Sequence, residues 1–510
     1  MPEQTEQHPQ LSVHDDDERV SISDVERRAG MNWITWDGIL ASLYVALTGG
    51  VFLTGFALLV GASEVAIGVL SGLPRLSQLM QPLGAYFVER LHMRKRISVW
   101  VFGPARMLWL LVILLPLIGY HGGPSRLAMI VLFVVAIGSA LLSGFAACSW
   151  LAWMADLIPE PVRGSFFGRR TMLAGAIGAV VCYLAGRYID AWSEAHGEQD
   201  ALGFLILFGV AAILGIASWY TLIRCPEPEI EEEPEEEVRP FMHTLVDAWR
   251  NANFRQLVYS IAILTFGVWV AGPFFSVYMI ENLKLPYSLM NILGAFSSVG
   301  SLMMVRFWGA LSDHFGNRPV MLTCMLGVAV VPLLWLPCAA GTWWPLIIAH
   351  FVGGATWSGI YLAQMNLVFK LTPHYHKAVY IGIFYALTNL PSLFSPILGG
   401  YFLEHTEDLS IQIGSWTFIN HHLVFLMSGL IRFMAVPLFH RVKEPRAKKV
   451  THMIRVLSHI RTMNPAIGLH YTMVFVGAAS SGTRKAAKAV RRTADRLIHW
   501  TGEPPEGADT

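Results

Sequence analysis

Twelve apolar runs, each long enough to cross a bilayer, constrain what this chain can fold into more than any other feature. They fall at about 33–60, 64–88, 97–119, 127–158, 170–192 and 201–223, then 257–280, 288–312, 320–340, 345–371, 378–403 and 422–439. A helix needs about 20 mostly apolar residues to span the hydrocarbon core. Helices are the expected form, because lipid leaves no backbone polar group an outside partner. Only 14% of the 510 residues are charged, against about 25% in soluble domains, so the expected class is an all-α membrane protein. The net charge of +1 gives no ground for a nucleic-acid partner. Cys148, Cys182, Cys225, Cys324 and Cys338 show no metal-ligand or disulfide spacing, and no cofactor or metal is expected. The polar, acidic start "MPEQTEQHPQLSVHDDDERV" does not resemble a cleavable signal peptide.

The runs form two sets of six around "CPEPEIEEEPEEEVRP", whose proline-spaced glutamates repel one another and read as a solvated tether; an acidic regulatory arm is the alternative. The expected organisation is a tail over 1–32, a six-helix bundle over 33–224, a linker over 225–254, a second bundle over 255–441 and a basic tail over 442–510. Lys and Arg cluster in the short loops of one side (Arg90, Arg94, Lys95, Arg96, Arg163, Arg169, Arg170, Arg318 and Lys377), which makes that side cytoplasmic and puts both termini there. A prokaryotic inner membrane is the expected location. In the basic tail, "THMIRVLSHIRTM" and "GTRKAAKAVRRTADRLIHW" place apolar stripes among cations, as helices do on an anionic inner leaflet; a partner-binding segment is the alternative. A monomer is expected.

The two sets rhyme. With Glu89 laid on Asp313, a shift of 224, Arg94 falls on Arg318. "PEPVRGSFFG" matches "PHYHKAVYIG" at a shift of 214, which also puts Gly186 and Asp190 on Gly400 and Glu404. Both sets close alike, with "IRCPEP" and "HRVKEP". The run "GALSDHFGNRP" resembles the signature loop between the second and third helices of a half in the major facilitator superfamily, and "DLIPEPVRGSFFGRR" resembles the family's connection from the fourth to the fifth helix. The resemblance covers about 33–445 and implies twelve transmembrane helices in two pseudo-symmetric bundles that rock about a midplane site. The first-half loop departs from the pattern with Ala85, Glu89 and His92.

In such loops glycine permits a positive φ, and an acid at a helix end can hold a cation or a neighbouring helix N-terminus. Glu89, Arg94 and Asp156, with Arg163, are expected to form one latch. Gly309, Asp313, Gly316 and Arg318 belong to its counterpart. The alternative is that these charges only set orientation.

The resemblance implies that the first, fourth, seventh and tenth helices line the cavity. Candidate solute contacts are Tyr44, Thr48, Trp150, Trp269, Trp357, Tyr361 and Gln364, with Asn389 from the eleventh helix; Trp357, Tyr361 and Gln364 share one helix face. Aromatic residues at this spacing also serve as packing. Arg75, Arg106 and Arg432 lie inside spans, where a charge is costly without a partner, and no acid is expected at their depth. An anionic solute would balance them, as would bonds to backbone carbonyls. Asp37 and His350 are the titratable candidates for ion coupling. No P-loop and no nucleophile constellation appears, so a non-enzymatic, rocker-switch carrier of a small organic solute, secondary or facilitative, is the expected function. A fold-alike that delivers or senses a pigment, lipid or peptide is the alternative.

Overall fold

The computed structural model describes residues 23–91, 93–227, 241–372, 377–414, 416–445, 447–448 and 451–453. The first half comprises α1 (Asp24–Leu47), α2 (Gly50–Leu59), α3 (Glu64–Leu79), α4 (Gln81–Leu91), α5 (Arg94–Met107), α6 (Leu110–Ile113), α7 (Arg126–Leu157), α8 (Glu160–His196) and α9 (Leu202–Arg224). After α10 (Phe241–Arg250), the second half comprises α11 (Ala252–Ala271), α12 (Phe274–Glu281), α13 (Tyr287–Phe315), α14 (Asn317–Val330), α15 (Pro345–Leu371), α16 (Lys377–Glu404) and α17 (Asn420–His440). An antiparallel hairpin, β1 (Ser410–Ile413) with β2 (Trp416–Ile419), fills the loop before α17.

Among the described residues, eleven segments are long and apolar enough to cross a membrane. The twelfth, expected over 64–88, is divided at Met80 into α3 and α4. Pro82 explains the break: its ring has no N–H to continue the ladder, and the Met80 N–H turns back to the Ser77 carbonyl at 3.1 Å. The first span breaks at Gly49–Gly50, where Gly50 has φ +53°, and the seventh breaks at Gly272–Pro273, 223 residues later. The third and ninth spans both end in a 3-10 turn, Leu115–Ile118 and Val331–Trp335. The breaks of the first and third spans therefore repeat in the second half, whereas the break at Met80 does not, since α13 runs unbroken from Tyr287 to Phe315.

Two boundaries differ from the expectation. α1 starts at Asp24, inside the expected N-terminal tail, because Ser23 and Glu26 form a reciprocal capping box. A third of the expected linker, Phe241–Arg250, is the helix α10, whose Ala248 is buried in the second-half core. The reason is the amphipathic run "FMHTLVDAW" that follows the glutamates. Residues 228–240 of the linker and the basic tail from 454 onward lie outside the described residues.

The apolar core shows how the halves meet. At the end of the bundle remote from the tether, one cluster draws on both halves, with Phe52, Phe56 and Leu70 beside Phe274, Leu403 and Phe425. At the basic, tether-bearing end the core separates. Ile34, Trp153, Leu157 and Leu222 form one cluster, and Phe254, Phe315, Leu367 and Phe439 belong to another.

Candidate functional site

Glycines record where the halves touch. At Gly400 on α16, an added Cβ would lie 2.6 Å from the Glu64 carbonyl carbon and 2.7 Å from the Val65 nitrogen, both on α3. Gly68 and Gly72 of α3 press in the same way on the backbone of Pro396 and Leu393. At the repeat-related Gly186 on α8, a Cβ would meet Ser288 of α13 at 2.7 Å. Five helical turns back on the same faces, Gly168 and Gly382 meet nothing within 4 Å among the described residues. The same two helix faces are thus sealed at the remote end and open at the basic end. A cleft between the halves opens toward the basic end.

Arg75 stands where the seal stops, one turn beyond Gly72 on α3. Its guanidinium lies over the Trp269 ring, 3.2 Å from the centroid, in a cation–π contact that joins the second span to the seventh. Among the described residues no carboxylate comes within 4.0 Å of it, and the Tyr361 hydroxyl is its electrostatic neighbour. Tyr361 is 65% exposed and packs on Trp357, with ring centroids 5.3 Å apart. Gln364, further along the same face, is buried and lies beside Tyr385. Tyr385 and Asn389 lie on one face of α16, and Asn389 is one turn below the Leu393 contact. Tyr385 is absent from the sequence-based set; its i, i+4 spacing to Asn389 was the available signal. The resulting site is a lone cation on a wall of aromatic rings and amides.

The other candidates go elsewhere. Arg106 is not an unmatched cation. Asp37, expected near a helix mouth, is 2% exposed, with Arg106 at 3.6 Å and Arg170 at 3.3 Å. The Ser218 hydroxyl donates to it at 2.5 Å, and Arg106 also donates to the Gly215 carbonyl at 3.2 Å. Four spans of the first half are tied at this node, and Arg106 has its counter-charge there. Arg432 donates to the Val328 carbonyl at 3.0 Å, inside the second half. The Tyr44 hydroxyl is held by Ser139 at 3.0 Å, and the Thr48 hydroxyl donates to the Tyr44 carbonyl at 2.8 Å. Trp150 packs on Phe167 and under Arg170. His350 lies beside Trp335 in the remote-end core, 5.8 Å between rings, away from Arg75.

At the basic end, Arg94 pairs with Asp156, and Arg163 donates to the Ala155 carbonyl at 2.6 Å, which closes the end of α7. The Glu89 side chain and His92 lie outside the described residues. The second loop turns at Gly316 with φ +95°, and Gly309 packs on Leu362 of α15. Its anchoring acid is a different one from that expected. Asp313 is exposed and in no ion pair among the described residues, whereas Glu444 accepts from the Arg318 N–H at 2.7 Å, the Asn317 amide at 2.9 Å and Lys370 at 2.7 Å. Arg318 itself donates to the His440 carbonyl at 2.7 Å. Burial raises the Glu444 pKa, but these bonds from Lys370, Asn317 and Arg318 outweigh it and hold the carboxyl below its ordinary value. The first half has a matching contact, with the Lys95 N–H donating to Glu227 at 3.0 Å. Glu227 and Glu444 are the acids of the paired endings "IRCPEP" and "HRVKEP", a signal the sequence offered.

Two repeat-related six-helix halves around a one-sided cleft define a membrane protein of carrier architecture. The family model of the Major Facilitator Superfamily matches residues 257–484. The chain is 26% identical over 150 residues to the MFS-type transporter patC of Penicillium expansum, covering 29% of this chain and 26% of that protein. It is 21% identical over 180 residues to the quinolone resistance protein NorA of Staphylococcus aureus, covering 35% and 42%. The matches thus span about a quarter to two fifths of those relatives. Among solved structures, a mutant form of the nucleoside transporter NupG aligns with a TM-score of 0.61 at 11% identity, over 82% of this chain and all of the other. The xylose transporter XylE from E. coli aligns with a TM-score of 0.55 at 16% identity, over 82% and 97%. These likenesses show the fold. Residues 257–484 are thus similar to the Major Facilitator Superfamily, and the chain as a whole shares the fold of these solved transporters.

Proposed function

We propose that this protein carries a small organic anion across a membrane by alternating access, with Arg75 as the charge that receives it. The observation that carries the reading is the position of Arg75 at the closed end of a cleft, beside aromatic rings and, among the described residues, without a carboxylate partner. A buried cation with no counter-charge is costly, and a solute that brings a negative group removes that cost. Trp269, Trp357 and Tyr361 supply flat apolar surface next to it, and Gln364 with Asn389 supplies hydrogen bonds, so a planar or ring-bearing carboxylate or phosphate ester fits best. Glycine contacts sealed at one end and open at the other support rocking of the halves; the Arg94–Asp156 pair and the Glu444 anchor act as latches at the open end. The basic end faces the cytoplasm by the distribution of Lys and Arg, so both termini lie inside and the described conformation opens inward.

Uptake into proteoliposomes tests this. Across a panel of ring-bearing organic anions and their neutral amides, the wild type is expected to move at least one anion and to discriminate against its amide. Arg75→Gln is expected to raise KM for that anion tenfold or more, with the folded yield unchanged. An Arg75→Gln protein that transports with wild-type KM refutes the role given to Arg75.

A further inference from the structure

The remote end carries the same device twice. Asp190 on α8 accepts from the Tyr287 N–H at 2.7 Å and the Ser288 N–H at 3.0 Å, capping α13 across the seam. Glu404 on α16 accepts from the Val65 N–H at 3.0 Å, capping α3 across the other seam. An ionised carboxylate is well placed at a helix N-terminus. The two acids are related by the shift of 214, and the capped termini by the shift of 224. One position breaks the likeness: where α13 has Ser288, α3 has Glu64.

Glu64 therefore puts a second carboxylate at a terminus that already has one. Glu281 at the end of α12, Glu404 on α16 and Glu407 beyond it add negative charge around it, and His405 lies near Glu404. From α17, His421 brings Nε2 to 3.8 Å from one Glu64 oxygen. The other Glu64 oxygen is buried and meets no hydrogen-bond donor, and Nε2 of His421 has no hydrogen-bond partner among the described residues. Asn420 sets the tautomer: its amide donates to the Leu403 carbonyl at 3.3 Å, which turns Oδ1 toward His421 Nδ1 at 3.1 Å as the acceptor of that proton. Nε2 is left as the nitrogen that gains or loses one. The next residue, His422, is engaged on both sides, by the Ile419 N–H at 3.1 Å and the Tyr278 hydroxyl at 2.9 Å.

We propose that Glu64 and His421 form a proton-binding site across the seam, holding one proton while the remote end is sealed and releasing it when that end opens. With Nε2 bare and Glu64 ionised, an uncompensated charge would sit among like charges. One proton gives either a neutral pair or an ion pair, and both relieve the seam. Opening draws α3 away from α16 and α17, hydrates both groups and returns them toward ordinary values of about 4.3 and 6.5. Above about pH 7 the proton then leaves. The sealed form binds more protons than the open form, so acid favours sealing and alkali favours opening. The site rests on the alternating-access reading, and adds to it a coupling of proton movement to the gate.

Pulsed electron paramagnetic resonance between spin labels at His121 and Asp408, one in each half at the remote end, tests it in nanodiscs between pH 5 and 9. The wild type is expected to gain a longer-distance population as pH rises. Glu64→Gln is expected to stay short at every pH, and His421→Gln to lose most of the response. A Glu64→Gln protein with the wild-type pH response overturns the proposal, as does a wild type whose distances change with solute but not with pH. A wild type that responds to neither overturns the rocking reading as well.

Discussion

The sealed faces make a sharp demand on Gly400. An alanine Cβ there would lie 2.6 Å from the Glu64 carbonyl carbon, about 0.8 Å short of the 3.4 Å at which ordinary contact begins. The obstructing atoms are backbone, so the seam must part. Overpacking of this kind costs about 1–3 kcal/mol, and 1.4 kcal/mol is a tenfold shift in an equilibrium. Gly400→Ala should therefore move the population away from the sealed conformer by roughly 5–150-fold. Gly382→Ala is its control: it lies on the same helix and face, meets nothing within 4 Å, and gains the same helix propensity of about 1 kcal/mol. Gly186→Ala and Gly168→Ala repeat the comparison on α8. The assay is the rate of thiol labelling of a cysteine placed at Leu393, inside the seam. Labelling should quicken in the Gly400 and Gly186 variants and stay at the parent rate in the other two. Equal rates in all four would refute the claim that these faces form a one-sided seam.

Three further outcomes follow from the buried charges and the latches. Asp37→Asn leaves Arg106 and Arg170 without their acid; breaking such a buried group typically costs about 3–5 kcal/mol, so the melting temperature in detergent should fall markedly, and a Ser218→Ala change should cost less. Glu444→Gln should lower the melting temperature at neutral pH and flatten its acid dependence. The Glu444 carboxyl is held below its ordinary 4.5, so its stabilisation is present above that value and is lost as pH falls through the lowered one; calorimetry between pH 3 and 7 reads the difference. Arg94→Ala should leave folding intact and alter the rate of interconversion in the labelling assay, because it removes the Arg94–Asp156 contact at the open end.

Much of this was legible because it was local or periodic. Spans follow from run length, and the repeat follows from aligned Gly, Pro and acid positions. Gly186 with Gly400 and Asp190 with Glu404, paired in the sequence, occupy matching seams. The Arg94–Asp156 contact was expected from charge clustered at helix ends. What escaped was the partnering of groups far apart in the chain. Asp37 meets residues 69, 133 and 181 positions away, and no linear pattern marks that convergence. The same limit made Arg106 look unmatched and left Glu444 unnoticed in favour of Asp313. Glu64 was hidden for another reason: its significance lies in what α16 and α17 bring to it, not in its neighbours in sequence.

The breaks in the first and seventh spans have a mechanical consequence. Beyond Gly49 and Pro273 only ten and eight helical residues remain, about 15 and 12 Å of rod. Under the alternating-access reading proposed above, short levers pivoting on their own joints can tip inward or outward before the large bundles swing. A cargo can then be enclosed on all sides for a moment, and an airlock of that sort prevents a leak even while the vessel around it is changing direction.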